Sequence, residues 1–101
     1  MIARIWHGRT TAGKADDYVD YVKRTGIDSY RSIEGNRGQY ILRKIEDDVA
    51  DFTVLSFWDS MDAVRAFAGP EPEKPVYYPE DEDYLLELED KVDHYEVVYQ
   101  P

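Results

Sequence analysis

The stretch Gln39–Ser60, QYILRKIEDDVADFTVLSFWDS, decides how this 101-residue chain folds. Two runs rich in β-branched and aromatic residues, QYILRKIE and DFTVLSFWD, flank the short acidic link DDVAD, and so short a link closes only an antiparallel hairpin. Ser60 then stands where a helix cap is needed. Behind it MDAVRAFA sets Met61, Val64 and Phe67 or Ala68 on one side, and Gly69-Pro70 stops the helix. A sheet face open to water carries polar residues at alternate positions. YILRKI and FTVLSFW instead carry apolar groups at both parities, so both faces of the hairpin need cover.

Working outward, Ile2–Arg9 has the β-formers of a strand. TTAGKADDYVDYVKRTGIDSY changes period, with Ala15, Tyr18, Val19 and Val22 at helical spacing, a cap near Thr10 or Thr11 and a weak point at Gly26. EGNRG is a turn, DEDYLLEL a short helical turn, and VDHYEVVY a last strand. The order strand, helix, strand, strand, helix, strand predicts an α+β class chain: a ferredoxin-like βαββαβ sandwich with an antiparallel sheet, residues 1–101 forming a single domain. Helices can cover one face of that sheet. A second copy of the chain is the simplest cover for the other, which predicts a homodimer.

Composition narrows the function classes. Twenty-two acids against twelve bases give a formal charge of -10, which repels phosphate backbones and anionic lipid, so neither nucleic acid nor membrane is expected as a partner. The acid-rich segments KIEDDVAD and PEDEDYLLELED are expected to be solvated faces. Cysteine is absent, which removes disulfides, thiolate chemistry and thiolate-bound metal. No segment has the apolar length of a signal peptide or a membrane span, and the expectation is a cytoplasmic protein.

The chemistry-bearing residues are few. In the expected sheet the first strand lies between the third, parallel to it, and the fourth, antiparallel to it. That arrangement gathers His7, Trp58 and His94 at one end, beside the loop FAGPEPEKPVYYPEDE. His7 is the candidate general base, since an imidazole takes up a proton near neutral pH; His94 is a second candidate. Each also fits a histidine bonded to backbone or set at a strand edge. Trp58, Phe67, Tyr77 and Tyr78 are candidate substrate contacts, although a tryptophan ending a strand also fits core. Arg43 offers a charge to a substrate anion or to the hairpin's own acids. Two histidines with no third ligand at telling spacing make no metal site, and no metal or cofactor is expected. Pro70, Pro72, Pro75 and Pro79 stiffen the loop, which can hold Tyr77 and Tyr78 over a pocket as a lid or against a partner as a dimer clasp; its stiffness favours the clasp.

The strand with IWHGRT, the helix GKADDYVDYV, the GNRG turn and LSFWDSMDAVRAFAG, in this order and spacing, resemble the antibiotic biosynthesis monooxygenase family. That resemblance implies a ferredoxin-like chain paired into a dimeric α+β barrel. It implies three functions to weigh: cofactor-independent oxygenation of a phenolic, quinol or polycyclic aromatic substrate; a non-catalytic dimeric module binding a small apolar or aromatic ligand; and haem binding or degradation. Haem-degrading relatives carry an asparagine on the first strand and a tryptophan and a histidine in the helical region. This chain has His7 on the strand and no histidine in SMDAVRAFAG.

Overall fold

The computed structural model describes residues 1–28 and 32–101. Its strands are β1 (Ile2–Thr11), β2 (Asn36–Glu46), β3 (Val49–Trp58) and β4 (Asp93–Glu96). They form one sheet in the order β2-β3-β1-β4, and every neighbouring pair is antiparallel. The expected parallel pairing of β1 with β3 is therefore corrected. The crossover through the first helix returns β2 parallel to β1, and the hairpin then lays the reversed β3 between them, so β3 opposes both.

The first helix begins with a 3₁₀ turn at Ala12–Lys14, continues as α1 (Ala15–Val22) and widens to a π turn at Lys23–Ile27. Neither threonine caps it with its side chain: Thr11 makes no capping bond, and the Thr10 hydroxyl donates to the Thr11 carbonyl. Ser29 and Tyr30, the end of the stretch expected to be helical, lie outside the described residues. The second helix, α2 (Met61–Ala68), is capped as expected, the Ser60 hydroxyl accepting from the Ala63 amide at 3.2 Å, and ends at Gly69 with φ 89°. A single turn, α3 (Asp81–Tyr84), follows the proline segment. The last strand is shorter than VDHYEVVY suggested and covers only Asp93–Glu96.

Alternation along β3 sorts the two faces. Ala50, Phe52, Val54, Ser56 and Trp58 are buried beneath the helices, and the register places Arg4, Trp6, Gly8 and Thr10 of β1 on that same side. Tyr18, Tyr21 and Val22 of α1 and Val64 of α2 complete this core. On the opposite face the register sets Ile5, Tyr40, Leu42, Leu55 and Phe57 together. There Tyr40 stays 61% exposed and Tyr95, opposite Ala3, 55%. One side of the sheet is thus an aromatic core, and the other, uncovered within one chain, is apolar around Tyr40, Leu55 and Phe57 and polar around His7 and Asp51.

The segment from Gly69 to Val92 wraps the helix side. The Pro72 carbonyl accepts from Arg4 Nη1 at 2.7 Å, the Val92 amide donates to the Glu73 carbonyl at 2.8 Å, and the Leu86 amide donates to the Arg9 carbonyl at 2.8 Å. Gly8 is what lets this wrapping close over β1. A Cβ at that position would stand 2.5 Å from the Trp6 ring and 3.0 Å from Leu85 Cδ2. Replacing Gly8 with Val is expected to cost about 1–3 kcal/mol, the usual range for overpacking a core, read as a lowered urea midpoint with an unchanged slope; an unchanged midpoint would show that Trp6 does not need the bare strand.

Candidate functional site

A narrow crevice lies between β1 and β3, the end of α1 and the proline segment. Trp6 and Val54, paired across β1 and β3, form its floor. Tyr18, Thr25 and Gly26 form one wall, and Val76, Tyr78 and Asp81 the other. It encloses about 40 Å³ of free space, room for a few water molecules. The π turn belongs to its construction. By widening the helix end it brings Thr25 and Gly26 to the wall, while the Thr25 hydroxyl donates back to the Tyr21 carbonyl at 2.8 Å. Such turns recur at functional sites.

Aromatic rings dominate the surroundings. Trp6 stacks at 6.4 Å on Tyr18 and meets Tyr77 edge-on at the same distance. Tyr18 packs edge-on against Phe52 at 5.1 Å and stacks on Tyr21, which in turn stacks on Tyr84 at 5.0 Å. Among them sits one carboxylate. Asp81 is only 4% exposed; its Oδ2 accepts from the Tyr78 amide at 2.6 Å and its Oδ1 from the Tyr18 hydroxyl at 3.3 Å. Burial pushes the Asp81 carboxyl up, against the pull of those two hydrogen bonds. Burial, with the Asp81 charge beside it, also holds the Tyr18 hydroxyl well above the usual phenol range.

Of the sequence-predicted residues, Trp58, Phe67 and His94 gather about Arg4 toward the start of β1, but His7 does not join them. His7 is opposite Thr53 while Trp58 is opposite Ile2, so the antiparallel pairing sets them five residues apart along β1 and on different faces. His7 lies on the uncovered face, between two carboxylates: its Nδ1 is 2.5 Å from Glu89 Oε2 and its Nε2 3.2 Å from Asp51 Oδ1. It does not border the crevice. His94 is on the helix side, opposite Arg4. Trp58 is fully buried, donating to the Ser56 hydroxyl at 2.9 Å and stacked on Phe67 at 5.8 Å, so both rings serve the core near the far end of β1. Arg43 binds Asp16 at 2.6 Å on the broad open groove between α1 and β2. Tyr77 and Tyr78 turn inward, Tyr78 lining the crevice and the Tyr77 hydroxyl donating to the Glu89 carbonyl at 2.6 Å. Within the single chain Tyr78 is thus a wall of the crevice and Tyr77 a tie to Glu89.

Sequence reading missed Trp6, Tyr18 and Asp81 as neighbours. Asp81 stands in PEDEDYLLELED, which was expected to be solvated. The available signal was its place three residues after Tyr78 and at the start of a helical turn, where an aspartate folds back onto a backbone amide.

Comparison with known proteins bears on the fold. The family model for antibiotic biosynthesis monooxygenase matches residues 1–71. The chain belongs to that family. Among solved structures, a candidate antibiotic biosynthesis monooxygenase from Nitrosomonas europaea is 18% identical, with 98% of this chain and 100% of that one covered at a TM-score of 0.70. A second candidate from Bacillus cereus is 19% identical, with 99% and 95% covered at 0.66. The haem degrader MhuD of Mycobacterium tuberculosis, with two haems in its active site, is 14% identical, with 100% and 99% covered at 0.64. No curated protein matches the chain. Family membership carries the fold, while Asp81 lies beyond residue 71, outside the stretch that the family model matches. Among the described residues no helix is long and apolar enough to cross a membrane.

The second histidine generates a pH prediction. Arg4, 2% exposed, points Nη1 at His94 Nε2 across 3.0 Å. A guanidinium only donates, so Nε2 accepts and the imidazole is neutral. Burial first, then Arg4, lowers the His94 pKa, against Asp93 and Glu73, which raise it. The stability this neutral histidine leaves intact is full above the unfolded imidazole pKa of about 6.5 and is lost as pH falls from there toward the folded value. Urea unfolding from pH 7.5 to 5 should show that loss, and His94→Gln should flatten it; an identical slope in the variant would place the loss elsewhere.

Proposed function

We propose that this chain is a cofactor-independent monooxygenase of its family, acting as a cytoplasmic homodimer on a compact phenol or quinol held in the helix-side crevice. The observation that carries the reading is the crevice itself: a tryptophan floor and tyrosine walls around a buried carboxylate. Flat aromatic faces hold a planar ring by stacking and exclude water from it. For a hydroquinone the overall change balances with dioxygen alone. One oxygen atom enters the product as a ring hydroxyl, and the other leaves as water with two hydrogens, giving a hydroxyquinone. With about 40 Å³ free, even a single ring enters only as the proline segment moves outward, and a polycycle would need a larger movement still.

The homodimer rests on the uncovered face. Tyr40, Leu42 and Tyr95 are half or more exposed there, or nearly so, beside Ile5, Leu55 and Phe57, a patch of the kind that isologous pairing buries. Light scattering is expected to give twice the chain mass, and Leu42→Glu to halve it; a monomer of wild-type protein at micromolar concentration overturns the pairing.

Two measurements separate the functions. Methylhydroquinone in air should consume oxygen faster with the protein than without it and yield a hydroxyquinone by mass. If the rate equals the uncatalysed one while phenols raise the melting temperature, the chain is a binding module of the same fold. The haem reading is favoured by the likeness to MhuD, but a tetrapyrrole exceeds the crevice. A Soret titration should therefore show no saturable band, and a stoichiometric one would reverse this assignment.

A further inference from the structure

We infer that Asp81 is the residue that accepts the substrate's hydroxyl proton, with Tyr18 holding the carboxylate in place. The inference rests on the crevice being the substrate site. Asp81 belongs to the segment beyond the family match, and neither histidine on the sheet reaches the position it occupies: His7 is on the other face, and His94 is committed to Arg4.

The geometry supplies a base and its support. A carboxylate at 4% exposure is costly to bury. Here it is held by one backbone amide, from Tyr78, and one phenol, from Tyr18. Two carboxylate oxygens offer about four lone-pair positions, so those two bonds leave acceptor capacity for a guest that enters between Trp6 and Tyr78. In the step assigned to it, the substrate O–H bond breaks and an O–H bond forms on Asp81 as an electron leaves the ring for dioxygen. No positive charge has to be buried with the ring. Asp81 returns the proton to water when product leaves. Its raised pKa makes it a stronger base than a solvated aspartate. Tyr18 and Tyr21 from α1 and Tyr77 from the proline segment face it, with Glu80 beside Tyr21. Burial raises Tyr21 and Tyr77 each to about 12, so near neutral pH these three stay protonated and only the carboxylates change charge.

The purely structural alternative makes Asp81 a turn residue that fastens Tyr78, and the test has to tell the two apart. Asp81→Asn keeps an acceptor for the Tyr78 amide and removes the base. With methylhydroquinone it should lower kcat by about 10²- to 10⁴-fold with KM little changed. It should also erase the acid limb of the wild-type pH profile, in which activity falls as pH drops and the carboxylate is protonated. Tyr18→Phe leaves the base and loosens it, so it should lower kcat less and keep that limb. A second readout needs no turnover. 4-Nitrophenol titrated at its own pKa should bind wild-type protein in the neutral form, lowering the phenolate absorbance, because a carboxylate facing the hydroxyl opposes a second negative charge. Asp81→Asn should bind it without that loss. Turnover that survives in Asp81→Asn with its acid limb intact overturns the assignment of Asp81 alone. Phenolate absorbance unchanged on binding to wild type does the same. Absence of any 4-nitrophenol binding overturns the crevice as a phenol site, and this assignment with it.

Discussion

The contact on which the helix side depends is the Trp6 indole lying along its own strand over Gly8. Three parts of the chain that are distant in sequence meet on that ring: Tyr18 of α1 stacks on it, Tyr77 of the proline segment meets its edge, and Leu85 lies just beyond it over Gly8. A flat ring can lie along a strand only where the next residue on that face has no side chain. Gly8 provides that gap, which is why a glycine interrupts an otherwise regular β1. The crevice is the space left beside the same ring, where Val54 and the π turn fail to fill it.

That arrangement explains why a proline-rich, acidic segment contains a tyrosine pair. The segment is fastened at both ends, by Arg4 to the Pro72 carbonyl and by Tyr77 to the Glu89 carbonyl. Between those points the prolines limit the conformations lost on ordering. The acids stay on the solvent side with one exception, Asp81, whose carboxylate folds inward onto the Tyr78 amide. Fastening at Arg4 uses a neutral His94 as its second acceptor, so the helix-side structure is coupled to the protonation of a histidine far from the crevice itself.

Much of the fold was legible because it is written in periodicity. The hairpin of two apolar runs, the Ser60 cap and the Gly69 stop all appear where the pattern put them, while the alternating burial along Val49–Trp58 is visible only in the structure. Strand direction was the failure, and it moved the candidate site: a parallel β1 and β3 bring His7 to Trp58, whereas the antiparallel pair sends them to opposite faces and toward opposite ends. Pattern reports which residues share a strand face; it does not report which strand ends meet. Asp81 was illegible for a different reason. Acidic residues at 80–83 look alike in sequence, and only the packing of Tyr18 and Tyr78 around one of them makes it a buried group.

The division of the chain at residue 71 has a mechanistic reading. Residues 1–71 match the family model and include the whole of β1, α1, β2, β3 and α2, while structural neighbours at 14% to 19% identity cover 98% to 100% of the chain. Such a scaffold tolerates nearly complete replacement of sequence because its demands are alternation, caps and a few tight approaches. What it leaves undetermined is the filling of the cleft between helices and sheet. Here that filling comes from residues 72–92, which supply Val76, Tyr78 and Asp81 to one wall. A fold does not fix a function, and in this chain two of the groups proposed to meet a ligand, Tyr78 and Asp81, stand on the segment that the family match does not reach and face Trp6 and Tyr18 of the matched part.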